Sequence, residues 1–146
     1  MKKRSLIVYT IGHSNRSIGE FINILSKFGI EQVVDVRRFP TSKKFPYFNM
    51  ENLKETLKKN GIHYIYLGNE LGGFRSGGYE EYMKTVDYRK GVKKLLQLCK
   101  LRTTAIMCSE KLWFKCHRRF IAKSLLRKNV EIIHIIDDEK TYKQLS

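Results

Sequence analysis

Two hydrophobic rhythms alternate along the chain. Short, nearly continuous apolar runs recur at residues 6–11, 32–36, 63–67, 104–108 and 130–136. Runs of that length, bounded by turn residues, fit strands covered on both faces. Between them the apolar spacing changes to that of helices. Ser17, with Glu20 three residues on, forms a capping box, and Ile18, Phe21, Ile22, Leu25 and Phe28 make a buried stripe that Gly29 ends. Asn49 opens a second helix with Met50, Leu53 and Leu57 inward, closed by Gly61. Tyr88, Val92, Leu95, Leu96 and Cys99 share one face of a third, which makes Cys99 a core residue without chemistry. A last helix is expected over about 114–128, with Cys116, His117, Arg118 and Arg119 in its opening turn.

Strands alternating with helices predict one α/β domain over residues 1–146, a three-layer sandwich with a mainly parallel five-stranded sheet and helices on both faces. The acidic segment Asp137-Asp138-Glu139 and the tail from about 137 are expected to be peripheral. Ligands of such sheets collect beyond the carboxyl ends of the strands. Polar residues fall there repeatedly: His13 and Ser14 after the first strand, Arg37 and Arg38 after the second, the Gly72-Gly73 loop after the third, and Cys108 with Glu110 after the fourth. Pro40 keeps the basic loop after the second strand out of helix.

Charge narrows the partners. The chain carries 29 Lys and Arg against 14 Asp and Glu, a formal net charge of +15. Residues 101–129 hold eight Lys or Arg against the single Glu110, so the excess is concentrated beside the thiols. Such a field favours encounter with polyanions, and an anionic ligand is expected, with nucleic acid among the candidates. No apolar run approaches the roughly 18 residues needed to cross a bilayer, so no membrane partner is expected. The basic start at residues 1–4 is too short and wrongly flanked for a signal peptide. Three cysteines, an odd number confined to one half of the chain, point to a reducing cytoplasm rather than a disulfide scaffold. The residues name neither a cofactor nor an oligomeric state.

Glycine-rich dinucleotide and phosphate loops, the Gly-x-Ser-x-Gly elbow and a Cys-x-x-Cys pair are all missing from the sequence. Three chemistries remain open. In the first, a thiol acts as nucleophile or redox centre: Cys108 is preferred over Cys116, Arg118 and Arg119 stabilise a thiolate or an anionic substrate, and His117 or His13 moves protons. Glu110 serves either as acid/base or as a helix cap. Asp35 either contacts a ligand or pairs with Arg37 or Arg118. Arg37 is the anion-binding candidate, and Arg38 a solvated neighbour. In the second, Cys108, Cys116 and His117 or His13 bind zinc, although their spacing matches no common structural pattern. In the third there is no catalysis: the basic face binds nucleic acid, and Trp113, Phe39 and Phe48, placed in loops, stack on bases. His63 and His134, inside strands, are expected to be satisfied structural histidines.

Four blocks carry a family resemblance: Thr10-Ile11-Gly12-His13-Ser14; Asp35-Val36-Arg37 with Pro40 and Ser42; Tyr64 with Leu71-Gly72-Gly73; and Cys108-Ser109-Glu110 with Cys116-His117-Arg118. In that order they span nearly the whole chain, and the sequence resembles the family known as Domain of Unknown Function 488. The resemblance implies a compact α/β domain without an agreed activity. It supports a site formed by Ser14, Asp35, Arg37, Gly72, Gly73 and Arg118 around the Cys/His cluster.

Overall fold

A computed structural model describes residues 6–145; the basic start at residues 1–4 lies outside them. The elements run β1 (Leu6–Gly12), α1 (Ile18–Lys27), β2 (Gln32–Asp35), α2 (Met50–Lys59), β3 (His63–Tyr66), α3 (Gly68–Leu71), α4 (Tyr79–Tyr82), α5 (Val86–Leu101), β4 (Thr104–Cys108), α6 (Arg118–Leu126), β5 (Val130–Ile135) and β6 (Thr141–Gln144). Single 3-10 turns at Pro46–Phe48 and Trp113–Lys115 precede α2 and α6. The Ser17 hydroxyl accepts the Glu20 N–H, so the first helix starts where its capping residue dictates.

The sheet order is β3-β2-β4-β1-β5-β6. Every pairing is parallel except the last, where β6 runs antiparallel to β5. The sheet thus has six strands rather than the expected five, and the tail after residue 137 is part of it. Charge and polarity hid that strand: its side chains are mostly exposed, and only Gln144 turns inward, its side-chain oxygen 2.7 Å from His134 Nε2.

Two apolar layers flank the sheet. Phe21, Ile24 and Leu25 of α1 and Leu53 and Leu57 of α2 pack on one face with Ile11, Val33, Ala105 and Met107. Leu95 and Cys99 of α5 and Ile121, Ala122 and Leu125 of α6 pack on the other with Val8, Val34, Ile106 and Ile132. Alternation along β4 sends Met107 to the first layer and Cys108 to the second, toward α6. The chain leaves β1 for β2 over one face and β4 for β5 over the other. Strand order therefore reverses between neighbours β1 and β4, and the crevice beyond their carboxyl ends is the position where such sheets take ligands.

That crevice is held shut at its base by close backbone approach. His13 N–H donates to Cys108 O at 2.8 Å and Ser14 N–H to Ser109 O at 2.9 Å, carrying the ladder past the strand ends. A Cβ at Gly12 would lie 1.8 Å from the Glu110 carbonyl oxygen, so no side chain fits there. At Gly19, on the exposed side of α1, a Cβ would meet nothing within 4 Å. Chemical denaturation is expected to separate the two: Gly12→Ala loses about 3 kcal/mol or more, whereas Gly19→Ala gains about 0.5–1 kcal/mol from helix propensity.

Candidate functional site

The residues delivered by the strand ends do converge. A cleft of about 710 Å³ opens at the carboxyl edge, and its lining includes Arg37, Arg38, Cys108, Glu110, Cys116 and His117. At its floor the Cys108 and Cys116 sulfurs, both free thiols, lie 2.8 Å apart. Cys108 is buried on β4, while Cys116 is partly exposed just before α6. Two further groups face the Cys116 sulfur, the Arg118 backbone N–H at 3.5 Å and His117 Nδ1 at 3.5 Å. His117 Nε2 donates to Val36 O at 2.9 Å, which fixes the ring, and Nδ1 donates to the sulfur when both ring nitrogens carry protons.

This geometry splits the acidities of the thiols. The Cys108 hydrogen bond, His117 and the Arg118 charge hold Cys116 well below the ordinary thiol value, the bond from Cys108 contributing most. Burial pushes Cys108 well above it. Burial and these contacts thus favour the proton on Cys108 and negative charge on the partly exposed Cys116. Cys99, buried in the core and pushed up to about 12 by burial, stands apart from the cleft.

A second cluster borders the cleft on the α2 side. The buried Asp35 carboxylate accepts from Arg37 Nε at 2.9 Å, Arg37 Nη2 at 2.8 Å, the Arg37 backbone N–H at 3.0 Å and the Tyr64 hydroxyl at 2.6 Å. Of the two pairings open in the sequence, Asp35 makes the one with Arg37. The Arg37 guanidinium reaches the cleft already oriented, with Nη1 3.4 Å from His13 Nε2. His13 is buried against Phe48, ring centroids 4.3 Å apart, and its Nδ1 lies 2.9 Å from Ser14 O. It supports Arg37 rather than lining the cleft.

Several expected ligands have structural work instead. Arg118 is fully buried: it donates from Nη1 to Thr10 Oγ1 at 3.0 Å and from Nη2 to the Glu110 and Lys111 carbonyls. Its Nη1 and Nη2 are thus engaged by the protein, while Nε, also buried, has no hydrogen-bond partner. Glu110 Oε1 accepts the Leu112 N–H, so that carboxylate caps its own loop. Ser14 holds a turn at φ 49°. Gly72 lies against Gly68 O and Arg38, where a Cβ would approach within 2.3 Å and 2.6 Å; Gly73 lets the loop lie on His117. Among the described residues no three His, Cys, Asp or Glu side chains are grouped to hold a metal, which leaves the zinc reading without a site.

The aromatic candidates also redistribute. Phe48 is core, and Trp113 stacks on His134 at 4.3 Å and on Tyr142 at 5.2 Å. Of the three, only Phe39 stays exposed at the cleft. His134 is buried between Thr10 and Gln144 as expected, whereas His63 is exposed at the start of β3. The helix expected from 114 begins at Arg118, which releases Phe114 and Lys115 to the cleft wall. Arg119, expected beside an anionic substrate, lines the cleft; Tyr79 and Phe74 line it too and were not legible as site residues. A bulky aromatic after two glycines was the one signal for Phe74.

The model of the family described as Domain of unknown function DUF488 matches residues 17–125, well over half of the chain. The chain belongs to the DUF488 family. Comparison with curated proteins and with solved structures returned no match. The DUF488 match covers α1 to most of α6, and so includes the Asp35–Arg37 cluster, the glycine loop and both cleft thiols. His13 and the end of β1 lie outside the matched span and join the site through the sheet.

Burial lowers the His13 pKa from 6.5 to about 4, and burial does the same for His134. Both rings fold neutral, so between about 4 and 6.5 the unfolded chain binds more protons than the folded one. Stability is expected to be level above pH 6.5 and to fall as pH drops through that window, by up to about 3 kcal/mol per ring. Denaturant titrations at a series of pH values check this, and His13→Gln should remove a share of the slope.

Proposed function

We propose that this DUF488 protein is an enzyme acting on an anionic substrate through the Cys116 thiolate. The observation that carries the proposal is the contact between a buried thiol and a partly exposed one, at the floor of a cleft bordered by Arg37, Arg38, Lys115 and Arg119. Sequence favoured Cys108 as nucleophile; burial and proton sharing favour Cys116. A cysteine at a helix start, with a backbone N–H, an imidazole and a nearby guanidinium, is ionised without needing a base at the moment of reaction.

In the reaction this supports, the Cys116 sulfur forms a bond to an electrophilic atom of the substrate. The bond to the leaving group breaks with its electron pair, and the leaving group takes a proton from water. The hydroxide produced, or a second substrate in its place, then displaces the sulfur and restores the thiolate. The surrounding cations hold the substrate's negative charge at the cleft wall. A reducing cytoplasm suits this chemistry, because oxidation would join the adjacent sulfurs and remove the nucleophile.

Alkylation by iodoacetamide, followed by peptide mass spectrometry, tests the proposal without knowledge of the substrate. Cys116 is expected to react first and to remain reactive well below pH 7, with Cys99 last. Cys108→Ala, which deletes the hydrogen bond to the thiolate, should move the Cys116 pH profile up by about one to two pH units. Inorganic phosphate should slow alkylation of Cys116 by occupying the cationic wall. A Cys116 profile like that of an ordinary free thiol would reject the mechanism.

A further inference from the structure

Phe39, Phe74 and Phe114 are 61%, 84% and 47% exposed, and all three stand at the mouth of the cleft. Large rings left in water at one spot, in a chain this basic, require an explanation that core packing does not supply. Phe74 is the sharpest case, since its backbone also sits at φ 59°, in the left-handed region that a bulky residue avoids. The Arg38 guanidinium holds it there by donating from Nη1 to the Phe74 carbonyl. Phe39 and Phe74 form a tilted pair with centroids 6.0 Å apart. Guanidinium groups accompany the rings: Arg38 lies 5.7 Å from the Phe39 centroid and Arg119 4.6 Å from that of Phe120.

The cleft does not end at Phe120. That ring also lines a groove of about 860 Å³ between α5 and α6, bordered by Lys84, Arg89, Lys93, Lys123, Arg127 and Lys128 against Glu80 and Glu81. A cationic track therefore leads from the solvent-facing helices, past Phe120, to the ring-lined mouth above Cys116. Alternating rings and cations along a groove recognise flexible chains that carry flat aromatic groups on a phosphate backbone. A duplex hides its bases in the stack, beyond reach of Phe39 and Phe74.

Building on the proposed thiolate site, we infer that its substrate class is single-stranded nucleic acid. One base lies on the Phe39–Phe74 pair, the adjoining phosphate faces Arg38 and Arg119, and the rest of the strand follows the α5–α6 groove. Cys116 then lies beneath the nucleotide at the mouth.

Fluorescence anisotropy with labelled single-stranded DNA and RNA of about a dozen nucleotides tests this on the full chain. Tight binding is expected, weakening steeply with salt. The exposed pair Phe39→Ala/Phe74→Ala should lower affinity about tenfold or more while leaving the salt slope in place. Lys123→Glu/Arg127→Glu should lower both affinity and slope. Circular dichroism verifies that each variant is folded. Duplex of the same length binding as well as the single strand, the phenylalanine variant binding like wild type, or a mononucleotide binding as tightly as the strand would each overturn the inference. Alkylation of Cys116 separates the two levels: a fast, low-pH reaction with no oligonucleotide binding rejects only the substrate class. An ordinary thiol profile beside tight oligonucleotide binding rejects only the thiolate chemistry.

Discussion

A guanidinium buried among carbonyls holds the site together. Arg118 is the largest fully buried side chain among the described residues, and no carboxylate among them lies within ion-pairing distance of it. Its hydrogen bonds reach β1 at Thr10 and the loop after β4 at Glu110 and Lys111, while its own backbone begins α6. Strand β1, far away in sequence, is thereby fixed to the loop after β4 and the start of α6. A buried cation with no carboxylate partner is costly unless an anion stands near it. The Cys116 sulfur, two residues before it and in contact with its N–H, is the group positioned to carry that negative charge. The clamp that aligns the thiols thus also favours ionisation of one of them.

The Asp35 cluster follows a complementary logic on the opposite side of the crevice. Here the buried charge is an anion, and four donors satisfy it. The bidentate geometry leaves Arg37 little freedom, so its remaining N–H groups meet a ligand without further ordering. Burial and the Asp35 charge keep Tyr64 protonated far above its usual range, which preserves its hydroxyl as a donor to that carboxylate. His13 stays neutral behind Arg37, adding no second positive charge there. The two clusters meet because β2 and β4 are neighbours in the sheet, with Asp35 opposite Met107.

Around this rigid floor the walls are built differently. The exposed phenylalanines and Arg38 lie outside the strands and α-helices, in segments held by side-chain-to-backbone contacts such as Tyr66 to Arg38 O at 2.8 Å and Arg75 to the Gly68, Asn69 and Gly72 carbonyls. Reactive atoms on strand and helix ends, with recognition surfaces on loops, is the usual division between chemistry and selectivity. Glycines at 68 and 72 allow the third-strand loop to come within contact of the Arg37 and Arg38 backbone.

Hydrophobic spacing by itself determined the order of strands and helices, the parallel sheet, the core role of Cys99 and the edge where polar residues gather. These follow from local periodicity and capping, which act over a few residues. It also placed the Asp35-Val36-Arg37 and Cys108…Cys116-His117 blocks at that edge. Only tertiary structure decided which thiol is buried and which is partly exposed, because the packing around Cys108 is not written in the residues flanking it. It also reassigned Arg118 from ligand to clamp, since its partners are carbonyls that any sequence supplies. β6 escaped detection because an edge strand exposed along most of its length has no apolar signature, and its pairing comes from β5. The late start of α6 at Arg118, which frees Phe114 and Lys115, depends likewise on contacts made across the sheet rather than on helix propensity.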